Sequence, residues 1–156
     1  MRGDRDAPDI VILPPVLVGG TMIVGLIIHY LLWPVTVLPM LLSRILGLLL
    51  FVGSGALAHL AHRAMQRVGT NVFPTQPTLA LATDGPFRFT RNPLYIAAIG
   101  VYLGVSLWVN SMIMLLLTLP MALVLDWGIV RREESYLSGK FPQEYEVYRA
   151  RVRRWL

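Results

Sequence analysis

The sequence contains no cysteine and few charged residues. Of its 156 residues, 15% are Asp, Glu, Lys or Arg, whereas 55% are hydrophobic. The absence of cysteine excludes a disulfide framework, a thiolate nucleophile and a thiolate metal site. The low share of charge excludes an ordinary soluble domain, in which roughly a quarter of the residues are charged. The composition therefore indicates an integral membrane protein that forms a single domain over residues 1–156.

The chain also lacks the common signatures of soluble catalytic sites. It has no Ser-His-Asp signature, no phosphate-binding loop and no dinucleotide glycine fingerprint. His59 and His62 would share a helix face, but no carboxylate lies near them in the sequence, so we expect no metal site. The net charge of +5 comes from basic residues that flank apolar runs. We expect these residues to meet anionic lipid, and we expect no nucleic-acid partner.

Four apolar runs predict an all-α fold with four transmembrane helices. The runs cover residues 10–33, 40–60, 94–109 and 112–130. The first is long enough to cross a hydrocarbon core of roughly 30 Å, whereas the third is short for a span. We expect the first run to be a retained span, because it is too long for a signal-peptide core.

Small residues and helix-breaking residues predict how these helices pack, bend and end. A row of Gly, Ser and Ala in the second run lets helices approach closely in lipid and permits self-association. This helix is predicted to continue to a stop at Gly69, so that residues 1–69 form an N-terminal helical pair. Pro120 is predicted to kink the fourth helix. Asp126, in the last turns of that helix, is either a functional residue or one that reaches water.

The distribution of cations predicts the orientation. The turns after the first and third runs contain no Lys or Arg, whereas the N-terminus, residues 70–91 and the tail contain nearly all of them. With four spans, these three segments lie on one side of the membrane. The positive-inside rule makes that side cytoplasmic.

The tail, residues 131–156, is predicted to extend the fourth helix to Gly139 and to begin a last helix at Pro142. On that last helix one apolar stripe is formed by Phe141, Tyr145, Tyr148, Val152 and Trp155. Arginines fill the other faces. The pattern is typical of an amphipathic helix that lies on the membrane or closes over the long loop.

The long connection before the third run ends in an unusual stretch. Residues 83–95 read TDGPFRFTRNPLY, with turns predicted at Gly85-Pro86 and Asn92-Pro93. On spacing alone, a juxtamembrane anchor and a ligand site explain the stretch equally well. A connection of this length without an obvious element of its own is usually functional.

Glu133 and Glu134 are the strongest acidic pair. Adjacent helical residues point about 100° apart, so the two carboxylates are predicted to have different partners. One would bind a cationic or hydroxylated ligand while the other pairs with an arginine. The alternative is that both simply balance Arg131, Arg132 or Arg88.

Taken together, these motifs resemble the isoprenylcysteine carboxyl methyltransferase family, whose C-terminal half is shared with phospholipid N-methyltransferases. The resemblance rests on residues 83–95, on REESYL at residues 132–137 and on FPQEYEVY at residues 141–148. It covers roughly residues 71–153. The resemblance implies that residues 70–156 form the methyltransferase-like half of the protein. It also implies an S-adenosylmethionine pocket at the cytosolic ends of the helices, covered by the C-terminal segment.

The resemblance also implies the site residues. The implied cofactor-binding residues are Leu79, Ala80, Leu81, Ala82, Phe87, Arg91, Asn92, Pro93, Leu94, Tyr95 and Glu133. The predicted catalytic set is Arg131, Arg132 and Glu134, in which Arg131, Arg132 or alternatively Arg88 orients an anionic substrate or headgroup. Tyr145 and Tyr148 are implied as lid contacts. No metal is expected.

Two positions depart from the family pattern. Asn92 stands where many members have histidine, and an asparagine cannot act as a base. Any mechanism that needs a base at this position is therefore in doubt. Pro142 stands where members commonly have glycine, which changes a turn and not a chemical group.

The expected function is S-adenosylmethionine-dependent methyl transfer to a lipophilic small molecule or lipidated substrate. An isoprenoid, a prenylcysteine carboxylate and a lipid headgroup all fit as acceptors, and the sequence does not give the oligomeric state. One alternative is an NADPH-dependent membrane reductase of similar architecture. Its phosphates would need a basic cluster in the long loop, where only Arg88 and Arg91 stand. A second alternative is a non-catalytic scaffold or lipid binder, which predicts no cofactor affinity.

Overall fold

The computed structural model describes residues 6–156, and no strand occurs among them. These residues form the α-helices α1 (Pro14–Leu31), α2 (Met40–Arg67), α3 (Pro93–Val109), α4 (Met112–Leu125), α5 (Arg131–Lys140) and α6 (Pro142–Arg151). A 3-10 turn, Gly85–Arg88, precedes α3, and a π-helical turn, Asp126–Val130, joins α4 to α5. The all-helical prediction is confirmed for this part of the chain.

Within the described residues, three helices are long and apolar enough to cross a membrane. They are Pro14–Leu31, Met40–Arg67 and the continuous helix Met112–Lys140. The predicted fourth span, α3, is an apolar helix of 17 residues. At 1.5 Å per residue it is about 25 Å long, somewhat less than a typical hydrocarbon core. The fold is therefore that of a multi-pass membrane protein.

Small residues bring α2 and α3 into close contact. A Cβ atom added to Gly47 would lie 2.7 Å from the carbonyl oxygen of Gly104, and one added to Gly100 would lie 2.1 Å from Ser54 Oγ. Gly53 and Gly55 point elsewhere and have no atoms within 4 Å. Only part of the predicted small-residue row therefore serves this helix contact.

The other helices are arranged around α3 and α4. Helix α2 packs on α3, α3 packs on α4, and α1 packs mainly on α4. The core between α1, α3 and α4 is centred on Tyr102, Met114 and Met121, all of which are buried. Helices α1 and α2 are consecutive in the chain but barely touch each other.

One end of the bundle is closed by Asn110, in the turn between α3 and α4. Its backbone is left-handed, with φ of 60°, and it is buried. Its Oδ1 accepts hydrogen bonds from the backbone N–H groups of Val37 and Leu38, and its Nδ2 donates to the carbonyl of Leu38. The two predicted uncharged turns therefore lie together at one end of the helices.

The described part of the N-terminal segment, residues 6–13, meets the long loop and the tail at the opposite end. The N-terminal cations Arg2 and Arg5 lie outside the described residues. Val11 N–H donates to the carbonyl of Gly128, and Arg91 N–H donates to the carbonyl of Arg153. Tyr136 on α5 contacts both the long loop and the N-terminal segment. Its hydroxyl accepts a hydrogen bond from Thr78 N–H and makes another with Asp6. The sequence-based expectation that the N-terminal segment, the long loop and the tail lie together is confirmed as a juxtaposition.

The fourth helix continues through Pro120 into the tail, as predicted, but its path differs from the prediction in two places. The π-helical turn was not foreseen, and the helix ends at Lys140. The predicted stop at Gly139 is wrong, because Gly139 is helical and the chain leaves the helix at Phe141. The predicted start of the last helix at Pro142 is confirmed. The predicted stop of α2 at Gly69 is also confirmed, and Gly69 has a φ of 69°.

Candidate functional site

The beginning of α3 forms one wall of the candidate site. Thr90 and Asn92 both donate side-chain hydrogen bonds to the carbonyl of Arg154, at 2.9 and 3.0 Å. Pro93 occupies the first turn of α3, where its missing N–H has no cost. The C-terminal tail therefore fixes the residues that immediately precede this helix.

Helix α6 closes over the 3-10 turn from above. The Tyr148 hydroxyl donates to the carbonyl of Phe87 at 2.8 Å. Phe87, Tyr145 and Tyr148 form one buried cluster with Ala61 and Ala64 of α2. Of the two placements predicted for this amphipathic helix, the structure has the one that covers the loop.

The tyrosines of this cover are shielded from water. Burial raises the pKa of Tyr145 to about 12, and the pKa of Tyr148 is raised for the same reason. Because even an exposed tyrosine is protonated at neutral pH, both hydroxyls can donate hydrogen bonds, and that of Tyr148 donates to the carbonyl of Phe87.

The two adjacent carboxylates have different partners, as predicted from their helical spacing. Glu133 accepts a 2.6 Å hydrogen bond from the Tyr95 hydroxyl. Glu134 accepts from Nε and NH2 of Arg154 at 3.0 and 2.8 Å, and lies 3.2 Å from NH2 of Arg91. The partners of Glu134 are therefore two arginines other than the three proposed from the sequence.

Those three arginines pair elsewhere. Arg131 contacts Asp126 at 2.7 Å, and Arg88 contacts Asp84 at 3.5 Å. Arg132 donates to the carbonyl of Asp9 at 2.9 Å. The alternative in which they balance the acidic pair is wrong.

Arg91 is the most unusual group in the site. Its side chain is only 8% exposed, and one of its nitrogens faces Glu134. Its Nε and NH1 are buried and have no hydrogen-bond partner. A buried donor without a partner is costly, more so when it is charged. These N–H groups are therefore well suited to bind an anionic ligand.

Two adjacent cavities meet at Arg91. The α1-side cavity, of about 200 Å³, is framed by Pro14, Pro15, Leu94, Tyr95 and Ala98. The α6-side cavity, of about 60 Å³, is framed by Ala80, Leu81, Ala82, Glu134, Tyr145 and Tyr148. Met65, Phe87, Arg91, Asn92 and Glu133 line both cavities. A ligand that occupied both would pass directly beside the Arg91 guanidinium.

Most residues implied by the resemblance line these cavities. The residues brought together are Ala80, Leu81, Ala82, Phe87, Arg91, Asn92, Pro93, Leu94, Tyr95, Glu133 and Glu134. Leu79 is not among the lining residues, and it is 60% exposed. Arg131 and Arg132 do not line either cavity and are paired with Asp126 and Asp9.

Sequence reasoning missed Arg154 and Thr70. Arg154 binds Glu134 and holds Asn92, whereas the sequence presents it only as one of several tail arginines. Thr70 lines the α6-side cavity, and its Oγ1 accepts from Leu79 N–H at 3.0 Å, which shapes the wall that follows. Their contacts are long-range, and no local pattern marks them.

No metal centre accompanies these groups in the part of the chain that is described. Among residues 6–156, no three His, Cys, Asp or Glu side chains converge in a way that could hold a metal ion.

Comparison with known proteins decides the family. A family model described as phospholipid methyltransferase matches residues 42–144, from the first turn of α2 to the first turn of α6. The chain belongs to the phospholipid methyltransferase family. This membership confirms the resemblance to the isoprenylcysteine carboxyl methyltransferase-like membrane enzymes. It points to a membrane methyltransferase that acts on lipid-like substrates.

A relative and a search of solved structures complete the comparison. A protein of Haemophilus influenzae described as uncharacterized is 35% identical over 63 residues, which is 40% of this chain and the full length of the relative. No solved structure matches the chain.

Proposed function

We propose that the protein is an integral membrane methyltransferase that uses S-adenosylmethionine to methylate a lipophilic acceptor. The observation that carries this proposal is the buried Arg91 guanidinium, with two nitrogens unpartnered, at the junction of two cavities and beside Glu133. Family membership supplies the reaction class.

The residues present fit the polar end of this cofactor. Its amino-acid end carries a carboxylate and an ammonium group. The free N–H groups of Arg91 suit the carboxylate, because a guanidinium binds carboxylates through charge-assisted hydrogen bonds. The carboxylate of Glu133 suits the ammonium. When bound, S-adenosylmethionine supplies a methyl group activated by its sulfonium.

Cofactor binding requires the long loop to move. Sites for molecules of this size usually have volumes of about 300–1,000 Å³, whereas the α6-side cavity has about 60 Å³. The wall formed by Ala80, Leu81 and Ala82 lies on a segment without helix or strand, held by hydrogen bonds from Leu79 to Thr70 and from Thr78 to Tyr136. We expect this segment to open outward during binding.

The α1-side cavity suits the acceptor. Its wall is mostly apolar and joins the start of α1, the end of α2 and the start of α3. An acceptor with its tail in the bilayer would bring its head to Tyr95 and Glu133 between α1 and α2, which barely touch each other. Methyl transfer is an in-line displacement, so these walls would act by aligning the acceptor and excluding water.

The proton chemistry depends on the class of acceptor. A carboxylate acceptor is ionised at neutral pH and needs no base. An amine acceptor would need a base, and Glu133, held by the Tyr95 hydroxyl, is the carboxylate in position to take the proton. Asn92 is not available for this role, because an amide cannot act as a base; its Nδ2 donates to the carbonyl of Arg154.

The proposed topology has four crossings, with α3 as the shortest. It is supported by the two uncharged turns that meet at Asn110 and by the cation-rich long loop and tail, which meet at the other end. Positive-inside then places the termini and the site on the cytoplasmic side.

Methyl transfer can be tested with the protein reconstituted in lipid vesicles and methyl-labelled S-adenosylmethionine. One arm contains phosphatidylethanolamine and the other a prenylated cysteine. We expect the methyl label to appear in the organic extract of one of the two arms. The Arg91→Gln variant should lose this labelling. The control Arg149→Gln should keep it, because Arg149 is exposed and pairs with Glu146. A protein that binds no S-adenosylmethionine and labels neither acceptor would overturn the proposal.

A further inference from the structure

We propose that Arg154 is a positioning residue that keeps the Arg91 guanidinium available to the carboxylate of the cofactor. This inference rests on the proposed function. Arg154 lies in the tail after α6, outside the segment that the family model matches, and it was not among the residues implied by the sequence.

The first step is the sharing of one carboxylate by two arginines. Arg154 donates from Nε and NH2 to the same oxygen of Glu134, Oε2, at 3.0 and 2.8 Å. Arg91 lies 3.2 Å from the other oxygen, Oε1, through its NH2. The Glu134 side chain is 10% exposed, so the carboxylate competes little with water for these partners.

The second step is that this sharing leaves two nitrogens of Arg91 without a partner. Because Arg154 occupies Oε2, Arg91 reaches Glu134 through one nitrogen, while its Nε and NH1 have no partner. Arginine and carboxylate prefer a two-pronged pair in which two nitrogens meet two oxygens. Without Arg154, Glu134 would draw Arg91 into such a pair, and one of its two unpartnered nitrogens, Nε or NH1, would no longer be available to the ligand.

The third step is that Arg154 is itself held in place. Its NH1 lies 3.8 Å from Asp126, and its carbonyl accepts from Thr90 and Asn92. The residue is thus fixed from both its side chain and its backbone, between the start of α3 and the π-helical turn. A glutamine at this position would keep the backbone contacts and remove the guanidinium, with its charge and its two hydrogen bonds to Glu134.

The test compares Arg154→Gln with Arg154→Lys and with the control Arg151→Gln, which changes an exposed arginine three residues earlier. Two probes are titrated: S-adenosylmethionine and 5′-methylthioadenosine, which lacks the amino-acid end. We expect Arg154→Gln to weaken S-adenosylmethionine about tenfold, the usual effect of losing a charge-assisted hydrogen bond. Binding of methylthioadenosine should not change, and Arg154→Lys should recover part of the loss.

A second comparison separates positioning from folding. In a Glu134→Gln background there is no carboxylate to capture Arg91, so adding Arg154→Gln should cause no further loss of S-adenosylmethionine affinity. Equal weakening of both probes, or an undiminished effect of Arg154→Gln in that background, would overturn the inference. A wild-type protein that binds methylthioadenosine but not S-adenosylmethionine would also overturn it. If the wild type binds neither probe, the proposed function itself fails.

Discussion

At the level of single residues, the candidate site is a set of buried charges whose partners come from distant parts of the chain. Tyr95 at the start of α3 binds Glu133 on α5, and Arg154 in the tail binds Glu134. Such contacts are costly to break on one side only, because the remaining group is left buried without a partner.

Replacement of Tyr95 by phenylalanine tests the contact to Glu133. The change removes the donor of the 2.6 Å hydrogen bond and leaves the Glu133 carboxylate without it. We expect a loss of about 1–3 kcal/mol in stability and a marked fall in methyl transfer, measured by thermal unfolding and by label incorporation. Tyr30→Phe is the control, because Tyr30 is exposed on α1. Full activity of Tyr95→Phe would remove this hydrogen bond from the mechanism.

Asn110 offers a second residue-level test, at the end of the bundle away from the site. Asn110→Ala removes the bonds to Val37 and Leu38, and it replaces asparagine, which tolerates a left-handed backbone, with alanine, which disfavours it. We expect a loss of about 2–4 kcal/mol of stability. Asn110→Gly should lose less than Asn110→Ala, because glycine tolerates the φ of 60°. Equal unfolding midpoints for both variants and the wild type would contradict this role.

At the level of helices, the contact between α2 and α3 depends on small residues. A Cβ at Gly47 would meet the backbone of α3 at 2.6–2.7 Å, so Gly47→Ala must push the helices apart. We expect a loss of about 1–3 kcal/mol, typical of overpacking, measured by thermal unfolding in detergent. Gly53→Ala is the matched control and should be neutral or stabilising by up to about 1 kcal/mol, since its position is open and alanine favours a helix.

The helices were largely predictable, because their signals are local. Apolar runs give their existence, Gly69 and Pro142 give two of their ends, and Asn110-Ser111 gives a tight turn. The π-helical turn before α5 has no such signal. One extra residue in a turn rotates the following helix by about 100°, so the faces of Arg131 and Arg132 could not be derived from the apolar pattern of α4.

The candidate site was predictable to the extent that its residues lie in contiguous motifs. Residues 83–95 and the acidic pair come together because the tail closes over the start of α3. Leu79 projects outward because Thr70 binds its backbone from nine residues away. Arg154 binds across twenty residues to Glu134, and a run of tail arginines does not reveal which one makes this contact.

At the level of the whole molecule, the absence of cysteine makes the proposed topology directly testable. Single cysteines can be placed at Thr36, in the turn near Asn110, and at Gln143, on α6, both of which are exposed. In intact cells a membrane-impermeant maleimide should label Thr36→Cys, whereas Gln143→Cys should react only after permeabilisation. Labelling of both positions from the same side would contradict four crossings.

The most direct test of the proposed function is calorimetric titration of the detergent-purified protein with S-adenosylmethionine and, in parallel, with NADPH. The buried, unpartnered N–H groups of Arg91 and the family match predict binding of the first and none of the second. Binding of NADPH without S-adenosylmethionine would contradict the methyltransferase assignment and favour a reductase. Binding of neither would contradict any cofactor role for the two cavities.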